Sequence, residues 1–191
     1  MPGTSQDAAD ASRADGGTPQ WGLRRIPLVV RMAVYSLFFL TAVLVVVPWL
    51  FHTGAEWLLP QPFEIGWILR GVGVALIVIG FVLYVCSSYW LTRRGRGAYV
   101  EFDPPAEFVA TGPYRWVRNP IAGSLVITVL GEALAFSSPG ILLLFLLAMP
   151  LAHAQVVWLE EPLLRKRFGA SYERYLSSVP RWIPRRPRGA G

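Results

Sequence analysis

Four apolar blocks alternate with polar, arginine-bearing connections along the chain, running from about Ile26 to Phe51, Ile65 to Trp90, Pro120 to Phe136 and Ile141 to Leu159. A helix rising about 1.5 Å per residue needs about 20 apolar residues to cross a hydrocarbon core of about 30 Å, so the pattern predicts four transmembrane helices. Gly71, Gly73 and Gly80 fall in the second block. Small residues let helices approach closely in lipid, so that face is expected to pack on a neighbour. Ser137-Ser138-Pro139-Gly140 reads as a tight turn, which makes an antiparallel hairpin of the third and fourth blocks. Met1 to Gln20, rich in Gly, Ala, Ser, Thr and Asp, is expected to be a disordered tail. It lacks the basic-then-apolar layout of a cleavable signal, so the first block is expected to stay as a span. Residues 21–184 then form one membrane domain, followed by a basic tail over residues 185–191.

Charge orients these blocks. Of the 18 Lys and Arg residues, all but Arg70 flank the start of the first block, the loop between the second and third, or the tail after Leu159. By the positive-inside rule both termini and the central loop face the cytoplasm. The eight tryptophans sort in the same way, with Trp49, Trp57 and Trp67 near the outer face and Trp21, Trp90, Trp116, Trp158 and Trp182 near the inner. The expected fold is therefore all-α and integral to the membrane, with four spans, both termini cytoplasmic and a cytoplasmic C-terminal helical lid. Lys166 is the lone lysine, a bias that hints at a GC-rich bacterial source and hence the inner membrane.

A net charge of +6 does not indicate nucleic acid here, because the basic residues flank apolar spans, where topology and anionic headgroups account for them. The single cysteine, Cys86, lies inside an apolar block, and His52 and His153 are isolated, so neither an internal disulfide nor a metal site is expected.

Candidate chemistry gathers in two places. Thr111 to Gly123 reads Thr-Gly-Pro-Tyr-Arg-Trp-Val-Arg-Asn-Pro-Ile-Ala-Gly, in which Gly112-Pro113 is a turn, Asn119 a candidate N-cap and Pro120 a first-turn residue. Tyr114 to Arg118 thus sits at the mouth of a helix, where two arginines and two aromatic rings can hold an anionic or adenine-bearing ligand, or anchor the chain at the interface. The second place is Glu160-Glu161-Pro162, followed by Phe168-Gly169, Tyr172, Tyr175 and Val179-Pro180-Arg181-Trp182-Ile183-Pro184. At the end of a helix two adjacent carboxylates need a cationic partner, which Arg165, Lys166 and Arg167 or a bound cofactor can supply.

The order and spacing of these motifs, from about Gly97 to Pro184, resembles the isoprenylcysteine carboxyl methyltransferase family, in the wider group of small membrane methyltransferases that includes the phospholipid N-methyltransferases. The resemblance implies S-adenosyl-L-methionine as cofactor and a small amphiphilic or lipid-like acceptor reaching the site from the bilayer. It places the cofactor-binding glutamate on Glu160. It also implies a pocket lined by Phe108, Val109 and Tyr114, and by Asn119, Pro120, Ala122 and Gly123. Asn119 stands where the family has histidine, Ala122 stands for its tyrosine, and Val156 for its substrate-side arginine. Asparagine cannot carry a proton in that position, and the loss of the arginine argues against a prenylcysteine carboxylate as acceptor. Arg118 and Glu161 are the expected catalytic pair, Glu161 as base for an amine acceptor.

Ser124, Thr128 and Glu132 recur every four residues and share one face of the third block. The hydroxyls suit helix packing. Glu132, about 18 Å along that helix, needs a partner, and an ion pair with Arg70 is expected. His153, seven residues before Glu160, is expected to be a hydrogen-bonded packing residue, and Tyr172, Tyr175 and Arg181 to belong to the lid. Two other readings remain open: an NADPH-dependent membrane reductase of the sterol-reductase type, and an inactive membrane scaffold.

Overall fold

The computed structural model describes residues 27–58, 65–95 and 107–186. The N-terminal tail with Arg24 and Arg25, the loop around Glu64, the central-loop residues Arg96, Pro104 and Pro105, and Arg188 lie outside the described residues. Six α-helices are present among those that are described: α1 (Leu28–Thr41), α2 (Val47–Leu58), α3 (Trp67–Gly95), α4 (Pro120–Ala135), α5 (Pro139–Gln155) and α6 (Glu161–Ser178). No strand occurs among the described residues.

Two junctions are wider, π-helical turns, Ala42–Val46 between α1 and α2 and Val156–Glu160 between α5 and α6. Each ends two residues before a proline, Pro48 or Pro162. A proline lacks an N–H and its ring crowds the carbonyl four residues back, which lies inside the widened turn in both cases. The helix therefore continues past each proline instead of ending. Pro150 sits inside α5 with no such widening. One consequence corrects the sequence reading: the Glu160-Glu161 pair is not at a helix end, because the backbone runs on helically from α5 into α6. The break comes at Gly169, whose φ of 51° and ψ of −130° kink α6.

Three helical stretches are long and apolar enough to cross a membrane: Leu28–Ala55, Trp67–Gly95 and Pro139–Ser178. The fourth apolar helix, α4, has 16 residues and spans about 24 Å. Outward-facing Leu37, Phe38, Trp67 and Leu151 leave apolar surface on the other helices, as lipid contact requires.

The short α4 is the inner helix. Its Ser124, Thr128, Val129, Gly131, Glu132 and Ala133 are buried. Close approach to α3 is made by glycine: a Cβ on Gly73 would meet the backbone of Gly131 and Ala135, and one on Gly80 would meet Thr128 and Ser124. Gly71 is exposed with open space around it, so it does not share this face. Ser124 Oγ donates to Ile121 O at 2.6 Å and Thr128 Oγ1 to Ser124 O at 2.9 Å, so both hydroxyls are satisfied along their own helix. The expected Glu132 to Arg70 pair is not formed. Glu132 Oε2 is buried with no hydrogen-bond partner, and Arg70 is exposed. Gly73 already packs on Ala135, the last residue of α4, so Arg70 lies one turn beyond that helix, and side chains on α3 lean further toward its N-terminus.

α4 and α5 form the hairpin the turn residues imply. Ser137 adopts φ 52°, and Ser138 caps α5 by accepting from Ile141 N at 3.3 Å. Val129, Ala133 and Ile141 make the apolar core between these helices. α2 joins at the same end: Gly140 lies against Phe51 and Ala55, and His52 Nδ1 is 2.8 Å from Ser138 Oγ.

Candidate functional site

At the other end of α4 the chain brings together three segments that are remote in sequence: the loop 107–119, the start of α6, and the strap that follows α6. The loop is shaped first. Gly112 has φ of 60° and opens a 3-10 turn, Gly112–Arg115, and Trp90 of α3 lies so close that any Cβ on Gly112 would strike its ring. That contact fixes the loop on the end of α3, where Arg94 also stands 5.5 Å from the Trp90 ring.

Behind the loop is an aromatic cluster. Phe108 lies 5.4 Å from Phe168, 5.6 Å from Tyr172 and 5.1 Å from Tyr175, the last two edge-on. Tyr175 Oη donates to Tyr114 O at 2.7 Å, which pins the turn to the second half of α6. The kink at Gly169 makes this possible, since it folds the tyrosine-bearing half of α6 back onto the loop. Val109, Tyr114, Tyr172 and Tyr175 are all buried.

Glu161 is the hub. Its side chain is 7% exposed and takes three hydrogen bonds from two guanidinium groups: Arg118 Nη1 at 3.1 Å and Arg181 Nε at 2.8 Å, both on Oε1, and Arg181 Nη2 at 3.1 Å on Oε2. The bond to Glu161 raises the Arg181 pKa further above its usual value, despite an opposing effect of burial. Arg118 remains under-satisfied, because its buried Nε has no hydrogen-bond partner. Two guanidinium groups share one carboxylate, so an anion or another carboxylate is electrostatically favoured beside Arg118.

The strap is stitched to the loop by further bonds. Arg118 N donates to Pro180 O at 2.9 Å and Arg185 N to Trp116 O at 3.1 Å. Asn119 does not cap α4 with its side chain; Nδ2 donates instead to Arg181 O at 3.2 Å. Trp182 Nε1 donates to His153 Nδ1 at 3.0 Å. Indole is a donor only, so that ring nitrogen of His153 is an acceptor; the histidine is hydrogen-bonded as expected, but it lies exposed and not packed between helices.

Glu160 stands apart from this network. It is half-buried, and Gln155 Nε2 donates to its Oε1 at 3.1 Å. The wide turn Val156–Glu160 rotates it relative to α5, so it does not face the way His153 does. Pro120 is buried, Ala122 and Gly123 are partly exposed, and a Cβ on Gly123 would meet nothing within 4 Å. The structure thus brings Phe108 and Tyr114 together through Tyr175, and Arg118, Asn119 and Glu161 together through Arg181 and the shared carboxylate, and leaves Glu160, Ala122 and Gly123 outside both groups. Sequence reasoning assigned Arg181 to a lid without its partner, named Phe168 without its contact to Phe108, and missed the packing of Trp90 on the loop and the Trp182 to His153 bond. An arginine before a tryptophan in a strap that returns to the helix offers no spacing signal for them.

An all-helical membrane protein with a polar site at one end of an inner helix, closed by its own C-terminal strap, is the class these contacts define. A family model described as phospholipid methyltransferase matches residues 69–171, more than half of the chain, and the chain belongs to that family. It is accordingly a methyltransferase of membranes by kinship. The matched stretch begins in α3 and ends in α6, before the strap. Comparison with curated proteins and with solved structures finds no match.

Proposed function

We propose that the chain transfers a methyl group from S-adenosylmethionine to a small amphiphilic or lipid-like acceptor at the cytoplasmic face of the membrane, with four spans and both ends on that side. The observation that carries this reading is the division of labour between the two glutamates. Glu161 is consumed by Arg118 and Arg181, which hold the strap over the loop. Glu160, one residue away, keeps carboxylate capacity for a cation.

The donor set fits the cofactor. An ammonium suits the Glu160 carboxylate, and the orphaned Nε–H of Arg118 suits a carboxylate. When bound, S-adenosylmethionine supplies an electrophilic methyl group on a sulfonium. The protein's own contribution is to position and to exclude water: the strap is bonded to the loop, and the buried rings of Tyr114, Tyr172 and Tyr175 lie behind it. Two guanidinium groups on Glu161 make it a poorer base than expected, so an amine acceptor is better served by another group or by water. The family finding supports methyl transfer over the nicotinamide-dependent reductase. Among the described residues no group of three potential ligands could hold a metal.

Calorimetric binding of S-adenosylhomocysteine to the purified protein tests this, beside Glu160→Gln and with NADPH for comparison. The proposal expects micromolar-range binding that Glu160→Gln abolishes, with NADPH silent. Binding of NADPH in place of S-adenosylhomocysteine, or none of either, overturns it.

A further inference from the structure

The strap carries an apolar and basic face that the site does not use. Trp182 is bonded to His153, and His153 stands on α5 seven residues before Glu160, about 10 Å back along the apolar helix. His153 is exposed on that helix, whose Leu151 and Trp158 are likewise open to the surroundings at 67% and 74% exposure. The strap therefore runs down the side of the helix bundle as well as over the site. Ile183 follows at 81% exposure, and Trp116, 44% exposed, is joined to the same strap through Arg185 N. Arg115, Arg185 and Arg186 are exposed around these side chains, with no ion-pair partner among the described residues.

We infer that this face docks on the cytoplasmic leaflet and recognises anionic phospholipid, with Trp116, Trp182 and Ile183 entering the headgroup boundary and Arg115, Arg185 and Arg186 meeting the phosphates. Large apolar side chains edged by cations are the pattern of a segment lying in the interface, and tryptophan favours that depth. Each arginine near an anionic surface adds about fivefold to partitioning. The same strap delivers Arg181 to Glu161, so lipid that holds the strap also holds the site closed. The inference rests on the orientation proposed above, and it does not depend on methyl transfer.

The test uses the full chain in nanodiscs of phosphatidylcholine alone or mixed with phosphatidylglycerol. Cys86→Ser removes the single native thiol, which is exposed, and Ile183→Cys carries an environment-sensitive fluorophore. With phosphatidylglycerol present the probe should shift to the blue and be quenched by acyl-brominated lipid, without S-adenosylhomocysteine. The double variant Arg185→Gln with Arg186→Gln should lose most of that quenching in the mixed discs. Equal quenching with and without the anionic lipid, or in the double variant, overturns headgroup recognition; a probe unquenched in every disc overturns docking itself. Because no cofactor is added, either failure leaves the methyltransferase reading untouched.

Discussion

Arg181 and Glu161, 20 residues apart, meet in a two-point ion pair at 2.8 and 3.1 Å. Matched fork geometry of this kind is stronger and more directional than a single contact. Arg118 shares the same carboxylate at 3.1 Å, so one side chain near the start of α6 sets the position of both the loop before α4 and the strap after α6. The family's shared stretch ends at residue 171, and the strap's hold on it passes through a residue inside that stretch.

Glu161→Gln keeps the shape of the side chain and removes its charge. Arg118 then stays largely buried without a counter-ion, and breaking such a pair costs about 3 kcal/mol or more. Arg181→Gln removes the more exposed partner, leaves the Arg118 contact, and should cost about 1 kcal/mol. Hydrogen exchange across residues 179–186 should therefore rise in both variants, and the melting temperature should fall further in Glu161→Gln. Equal melting temperatures for the two would show that Arg118 gains little from Glu161.

Gly112 and Gly169 both adopt positive φ, yet their surroundings differ. At Gly169 a methyl group meets nothing within 4 Å, so Gly169→Ala should cost only the conformational strain of its positive φ with ψ −130°, about 1 to 3 kcal/mol. At Gly112 the same methyl group collides with the Trp90 ring, so Gly112→Ala adds displacement of the loop. Thermal unfolding in detergent should rank Gly112→Ala well below Gly169→Ala, and S-adenosylhomocysteine affinity should fall markedly in the first alone.

Close helix packing is testable by a similar contrast. Gly80→Ala forces a methyl group against Thr128 and the Ser124 carbonyl, and overpacking of this kind costs about 1 to 3 kcal/mol. Gly71→Ala lies on an open, exposed helix position and gains about 1 kcal/mol from helix propensity. Opposite shifts in melting temperature are expected; a stable Gly80→Ala would mean that α3 and α4 pack more loosely.

What was legible in the sequence follows from periodicity and local chemistry. The apolar blocks marked where the helices begin, but the first two run on to Leu58 and Gly95 and the fourth continues into α6; Ser137 to Gly140 marked the hairpin, and the four-residue spacing of Ser124 and Thr128 marked the buried face. Where two local signals compete, the sequence does not say which prevails. Glu160-Glu161, followed by Pro162, read as a helix end, but a widened turn ahead of that proline, like the one ahead of Pro48, lets the helix continue and carries both glutamates into mid-helix. Glu132 and Arg70 looked matched in depth by residue count, but Gly73 already lies level with Ala135 at the end of α4, so Arg70 falls beyond that helix. The Trp182 to His153 bond depends on how far the strap returns, which only the folded chain decides.

Asn119, at the position where the resemblance read from the sequence expects a histidine, has a role that this geometry supplies. A histidine there would be a candidate proton carrier, whereas Nδ2 of Asn119 donates to Arg181 O and helps to seat the strap. Asn119→Asp is nearly isosteric but offers no N–H, so that carbonyl loses its donor and faces a negative oxygen instead. Loss of such a bond costs about 1 to 2 kcal/mol, or about five- to thirty-fold in the equilibrium between seated and released strap. Asn119→Asp and Asn119→Ala should each raise exchange at residues 179–186 and weaken S-adenosylhomocysteine binding several-fold. Asn119→His retains a ring N–H and should stay closer to the parent than either. If all three bind as the parent does, Asn119 does not hold the strap; if only Asn119→His gains activity, the position serves proton transfer and the strap bond is incidental.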